Sequence, residues 1–278
     1  MDLSVIIVSW QVREKLRANL SALLASAGDI RFEVFVVDNA SNDGSAAMVK
    51  QEFPGVRLIE NAENRGFAAA NNQALRLADG RFILLLNPDM RVEADTLAKV
   101  LAWAQDRPQA VVTGCKLVGP GGQIVKQVRR FPRLFDQLMI VLKIPHLFPG
   151  VVNKYLCADF DYESAAAVDS LRGAFFLINR AAYQRIKGAA QPFLDERYFI
   201  WFEEVDFCRQ VREAGGEIWY TPAARCLDYV GQSFRQVRRS QGQRYFRDSM
   251  LRYFAKWEPR WQHGVLWLAW RLVGLFIS

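Results

Sequence analysis

Apolar runs alternate with stretches of helical period through the first 118 residues. Leu3–Ser9 is continuous and β-branched, the pattern of a central strand buried on both faces. Val12–Ala27 follows with Leu16, Leu20, Leu23 and Leu24 on one helical face. Phe32–Val37 is a second buried strand ending at Asp38-Asn39, and Asp43–Phe53 reads as a helix stopped by Pro54-Gly55. Val56–Glu60 is a short strand, Asn64-Arg65-Gly66 a turn, and Phe67–Ala78 a helix closed by Asp79-Gly80. Phe82–Leu86 is a strand ending at Asn87-Pro88-Asp89, followed by a helix over Glu93–Gln105 and a strand over Ala110–Val118. The alternation predicts an α/β fold with a mostly parallel central sheet and helices on both faces. The right-handed crossover rule then brings the loops at Ser9, Asp38, Asn61–Gly66 and Asn87–Asp89 to one sheet edge, where such sheets bind ligands.

The second half is less regular. Val128–Ala165, interrupted by Phe-Pro and Ile-Pro pairs, reads as a variable loop region. Val168–Asn179 is strand-like around Arg172-Gly173-Ala174, Trp201–Ala214 is a helix, and Glu217–Thr221 is a strand ending at Pro222. We divide the chain into a domain over 1–233, with halves 1–118 and 119–233, and a basic, aromatic helical tail over 234–278.

Composition narrows the function classes. The net charge of +7 favours an anionic partner such as a nucleotide, a nucleic acid or a membrane surface. Cys115, Cys157, Cys208 and Cys226 lie far apart, without the spacing of a zinc site or a disulfide frame. No leader is read at Met1, and no uncharged apolar run is long enough for a membrane span.

Three polar clusters could carry chemistry. Asp38 stands at a strand end, where a carboxylate can accept the imide N–H of uracil or thymine; Ser41 to Asp43 just beyond suit helix capping equally well. Gly66 opens a small-residue helix, where backbone amides can approach an anion and Arg65 can add charge. This is neither a dinucleotide fingerprint nor a P-loop. Glu203, Glu204 and Asp206 open a helix among aromatics, which suits either dipole complementation or a general base of raised pKa.

These segments together resemble the family-2 glycosyltransferases of the GT-A fold, especially their bacterial rhamnosyltransferase-like branch. The resemblance rests on Ser4–Ser9, Val36–Ser45, Glu63–Asn72, Leu84–Asp89 and Phe193–Phe199 leading into Glu203–Asp206, in the family's order. It implies that Asp38 binds the pyrimidine of a nucleotide-sugar donor, with Ser9, Asn39, Asn64, Arg65, Gly66, Asn71 and Asn87 lining the donor cleft. It implies that Asp89, in the family's D-x-D position with Asn87 replacing the first Asp, binds Mg²⁺ or Mn²⁺. Glu204 aligns best with the catalytic base, and Glu203 is the alternative. Asp228 replaces a His of the family's pattern in Asp228-Tyr229-Val230-Gly231-Gln232-Ser233, and its oxygens suit the same metal.

The reaction so implied is an inverting transfer of L-rhamnose from dTDP-rhamnose, with a UDP-hexose as the other donor, to a glycan or polyprenyl-diphosphate-linked acceptor. Asn87 and Asp228 keep open a nucleotide-sugar-binding homologue without catalysis. The tail interleaves arginines with Tyr245, Phe246, Tyr253, Phe254, Trp257 and Trp261. It is expected to hold the protein at the inner, cytoplasmic face of the cell membrane, with packing on the catalytic domain or in a homodimer as the other use, and not to bind nucleic acid.

Overall fold

The computed structural model describes residues 1–26, 28–229 and 238–274. Its central sheet follows the order β3 (Arg57–Glu60), β2 (Phe32–Asp38), β1 (Leu3–Ser9), β4 (Phe82–Leu86), β10 (Phe175–Asn179), β6 (Ala110–Val118), β11 (Glu217–Asp228) and β5 (Met90–Val92), with β8 (Ala166–Val168) paired to β11 off this path. The strands β1 (Leu3–Ser9), β2 (Phe32–Asp38), β3 (Arg57–Glu60) and β4 (Phe82–Leu86) pair in parallel, as the alternating pattern requires. Their alternate side chains enter different cores. Val5 and Ile7 pack with α1 (Arg13–Ala25), α2 (Ser45–Glu52) and α4 (Thr96–Gln105) on one face. Ile6, Phe35 and Val37 pack with α3 (Phe67–Leu75), α7 (Arg180–Lys187) and α8 (Glu203–Glu213) on the other. The α/β expectation with helices on both faces holds.

The second half departs from simple alternation. The β6 strand (Ala110–Val118) does not lie beside β4; β10 (Phe175–Asn179) is inserted antiparallel between them. The run expected over Val168–Asn179 divides into β8 (Ala166–Val168), β9 (Ser170–Leu171) and β10, with the break at Arg172-Gly173. β9 pairs with β7 (Val128–Arg129) in a separate ribbon. Pro222 does not end its strand: β11 continues over Glu217–Asp228, and a register shift between Thr221 and Arg225 accommodates the missing donor. The last residues of β11 pair with β5 (Met90–Val92), a short strand masked in the sequence by its neighbouring turn and helix.

The segment read as loop over Val128–Ala165 contains two helices, α5 (Leu134–Val141) and α6 (Pro149–Tyr155). Asp136 starts α5 by accepting from the Arg133 N–H at 3.1 Å, a cap that the Pro-rich surroundings concealed. The described part of the tail forms α9 (Arg239–Trp257) and α10 (Arg260–Gly274). Both pack on the catalytic domain. Met250, Tyr253, Phe254 and Leu266 are fully buried in a third core with Val141, Tyr198, Phe202 and Val205. The proposed boundary at 233/234 and the Gly231-Gln232-Ser233 segment lie outside the described residues.

Candidate active site

The ends of β1 and β4, the loops after β2 and before α3, and the start of α8 open onto one cleft of about 410 Å³. Asn39, Asn64, Gly66, Asn87, Asp89, Glu203 and Glu204 line it, so seven of the expected site residues converge there. Ser9, Asp38, Arg65, Asn71 and Asp228 are not on its wall.

The nucleotide end is held by an amide network. The Asn39 side-chain N–H donates to Asn64 Oδ1 at 2.9 Å and to the Gly66 carbonyl at 3.2 Å, while its Oδ1 accepts from the Arg65 backbone N–H at 3.1 Å. Gly66 N–H donates to Asn64 Oδ1 at 2.9 Å, and Phe67 N–H to the Phe199 carbonyl at 2.7 Å. These backbone donors are therefore engaged within the protein. The turn expected to bind an anion thus has these three amides occupied, and it presents the exposed Arg65 side chain beside them. Asn71 donates to the Phe67 carbonyl of its own helix at 2.9 Å. Buried polar atoms near the strand ends have more to offer. Among the described residues, Ser9 Oγ and Asp38 Oδ1 are buried without a hydrogen-bond partner, while Asp38 Oδ2 accepts from Ser41 N–H at 2.9 Å. An orphaned carboxylate oxygen fits an imide donor.

Asn87-Pro88-Asp89 is fixed from three sides. Asn87 N–H donates to the Ala174 carbonyl at 2.9 Å, the Asn19 side chain of α1 donates to the Asn87 carbonyl at 2.9 Å, and Met90 N–H closes the turn on Asn87 at 3.2 Å. Asp89 is consequently buried yet faces the cleft. Asp228 is brought close through the backbone, because Tyr229 N–H donates to the Asp89 carbonyl at 3.3 Å and Asp228 pairs with Met90. Asp228 Oδ2 also lies 3.4 Å from the Arg172 guanidinium.

Glu203 and Glu204 enter by an unusual turn. Trp201 and Phe202 have φ of 64° and 69°, a left-handed conformation that bulky residues rarely adopt. This turn starts α8 at the cleft wall and directs both acids inward. Each retains a buried Oε2 without a partner among the described residues. Burial and the neighbouring Glu204 charge push the Glu203 carboxyl well above the ordinary range. Burial also raises Glu204, but Arg172 and Arg129 oppose that shift. The two environments separate the pair: Glu203 holds its proton more firmly, and Glu204 is the carboxylate that ionises first. Asp206, the third acid of the cluster, is structural. It accepts from Lys256 at 2.8 Å, Trp257 at 2.6 Å and Gln210 at 2.7 Å, and so fastens α9 to α8.

Sequence reasoning missed part of the wall. Arg172 faces the cleft from the break between β9 and β10, and its signal was a lone cation before glycine in an apolar run. Gln241 and Tyr245 reach the cleft from α9, where the Tyr245 ring stacks on Phe199 at 4.4 Å. Nothing local marks these two, because the tertiary path of the tail decides their position.

A family model described as Glycosyl transferase family 2 matches residues 4–160. Over 260 residues the chain is 26% identical to Rhamnosyltransferase WbbL of Escherichia coli, covering 91% of this chain and 92% of that protein. It is also 26% identical over 223 residues to the N-acetylglucosaminyl-diphospho-decaprenol L-rhamnosyltransferase of Mycobacterium tuberculosis, covering 76% of this chain and 71% of the relative. Among solved structures, a mannosyltransferase from Pyrobaculum calidifontis, in complex with GDP-Man and Mn²⁺, superposes with a TM-score of 0.58 at 19% identity. That likeness covers 97% of this chain and 69% of the other, and it shows a shared fold.

Proposed function

Because the chain belongs to glycosyl transferase family 2 and is a glycosyltransferase of glycan synthesis, we propose that it transfers L-rhamnose from dTDP-rhamnose to a polyprenyl-diphosphate-linked glycan. The observation that supports this reading best is the pairing in one cleft of Asp89, at the end of β4, with Glu204, at the start of α8. The two named rhamnosyltransferase relatives support the sugar, and the decaprenol named for one of them supports a lipid-linked acceptor. A UDP-hexose is the donor to test against it. The protein so read works at the inner face of the cell membrane, held there peripherally.

In this mechanism Glu204 takes the proton of the acceptor hydroxyl as its oxygen bonds to the anomeric carbon. The bond from that carbon to the donor phosphate breaks, and the nucleoside diphosphate leaves with the electron pair. Glu203, held protonated by burial and by Glu204, can donate a hydrogen bond without competing as a base. Asp38 offers its orphaned oxygen to the pyrimidine imide, and Arg65 and Arg172 supply positive charge at the rim and wall.

Asp89 and Asp228 would hold Mg²⁺ or Mn²⁺. Both are buried carboxylates, the hard oxygen donors such ions prefer, on backbone segments that meet at Met90 and Tyr229, and among the described residues no cluster of three ligating side chains exists. The ion supplies charge neutralisation at the leaving group when bound.

Calorimetric titration with dTDP-rhamnose, UDP-glucose, UDP-galactose and UDP-N-acetylglucosamine tests the reading, with each metal and then with EDTA. Metal-dependent binding of dTDP-rhamnose alone is expected. Binding of none of the four by folded protein would refute it.

A further inference from the structure

We propose that α10 and the α5–α6 hairpin form one composite surface that docks on an anionic lipid bilayer. The inference rests on the lipid-linked acceptor proposed above, and it extends the membrane contact from the tail to a second, distant segment of the chain.

The first observation is the outward face of α10. Leu266 and Ala269 are buried against the protein, with Trp270 and Val273 packed beside them. A helix in water should be polar on its opposite side. Here Trp261, Val265, Leu268 and Leu272 recur at helical spacing on that side, with exposures of 61%, 38%, 54% and 49%. Trp267 is exposed at its border, beneath the Arg271 guanidinium. The helix therefore carries a second apolar stripe beside Arg260 and Arg271, and among the described residues nothing covers it.

The second observation comes from α5 and α6. α10 packs against α5, and α5 against α6. Phe135 on α5 and Leu142, Leu147 and Phe148 in the connection to α6 are exposed. Of the fourteen large hydrophobic residues exposed among the described residues, these two packed units hold nine. Such clustering marks an interaction site rather than ordinary surface scatter.

Charge chooses the occupant. The only acid in residues 130–157 is Asp136, which is buried, and residues 259–274 contain none. Exposed cations surround the apolar residues: Arg130, Arg133, Lys143 and Lys154 near the hairpin, Arg260 and Arg271 on α10. A basic, tryptophan-bearing apolar face suits the headgroup and acyl boundary of an anionic leaflet. A second copy of the chain would oppose this basic face with another. Among the described residues no helix is long and apolar enough to cross a membrane, so this contact is with the surface.

The test uses the full chain and sedimentation with vesicles of phosphatidylcholine alone or mixed with phosphatidylglycerol. The parent is expected to bind the anionic vesicles strongly, the neutral ones weakly, and less at high salt. Leu268→Glu with Leu272→Glu on α10, and separately Phe135→Glu with Leu147→Glu on the hairpin, should each lower partitioning at least about tenfold. Unchanged partitioning of the hairpin variant would overturn the composite surface. So would a parent that ignores anionic vesicles, or one that sediments as a dimer dispersed by the α10 variant. Donor binding by calorimetry, run on every variant, keeps the two readings apart. Retained donor binding with lost vesicle binding confirms folding. Vesicle binding without donor binding in the parent would refute the rhamnosyl reading and leave the surface standing.

Discussion

Replacing Gly66 by alanine should damage both stability and donor binding, and the structure sets the size of the effect. Gly66 has φ 80° and ψ 175°, a region that is essentially glycine's alone and costs other residues about 1–3 kcal/mol. The added Cβ would lie 2.3 Å from the Phe199 carbonyl oxygen and 2.8 Å from its ring. Relief requires moving backbone that also accepts the Phe67 N–H, and overpacking of this kind costs about 1–3 kcal/mol. The less flexible unfolded chain offsets about 0.4–1 kcal/mol. The net loss is therefore about 1–5 kcal/mol. At about 2–4 °C per kcal/mol for a large domain, melting should fall by about 2–20 °C. Because Gly66 and Phe199 both line the cleft, donor binding should weaken along with it. Scanning calorimetry gives the first quantity and donor titration the second. A variant melting within about 1 °C of the parent would refute the reasoning, since neither the backbone penalty nor the clash could then be real.

Three further outcomes follow from the same geometry. Glu204→Gln should lower kcat by about 10²–10⁴-fold and leave donor affinity intact, while the parent's kcat rises with pH through a pKa above the ordinary carboxylate range; a rapid-quench assay across pH reads both. Glu203→Gln should raise the melting temperature at neutral pH, a gain on the order of 1 kcal/mol, and the gain should vanish in acid. The folded carboxyl has the higher pKa, so its stability contribution is present below the unfolded value of about 4.3 and is lost as pH rises through the folded one. Melting curves at several pH values check the sign. Asp206→Ala should destabilise by about 1–3 kcal/mol by removing the acceptor of the Trp257 indole N–H, although Lys256 keeps its bond to Asp195 at 3.0 Å, and limited proteolysis should then cut first in α9.

The N-terminal half was legible because its strands are buried on both faces and so read as unbroken apolar runs. Asn39, Asn64, Gly66, Asn87 and Asp89 could be placed at one edge because topology alone fixes the ends of parallel strands. The same reasoning misjudged what the turn at Asn64–Gly66 does. Its residue types suit an anion site, but the Arg65 and Gly66 amides are taken up by the Asn39 and Asn64 side chains, and the Phe67 amide by Phe199, more than a hundred residues away. Arg172 was hidden in a segment read as continuous strand, because the break there arises from pairing with partners on both sides. The α5 and α6 helices escaped notice because prolines suggest loops, although Pro149 sits in the first turn of α6, where its missing N–H is harmless. Gln241 and Tyr245 depend on where α9 docks, and the Asp206 contacts that dock it involve residues fifty positions apart.

The position of β10 has a consequence for synthesis. β4 and β6 are separated by fewer than 25 residues along the chain, yet neither pairs with the other; the strand between them is made of residues 175–179. As the chain emerges, the open edge of β4 and both edges of β6 stay without their partners until β10 follows some sixty residues later and β11 about a hundred later. Exposed strand edges of this kind invite pairing with other chains. Truncation before Asn179 should thus yield insoluble protein rather than an isolated nucleotide-binding half, and slow translation across residues 119–174 should favour aggregation over yield.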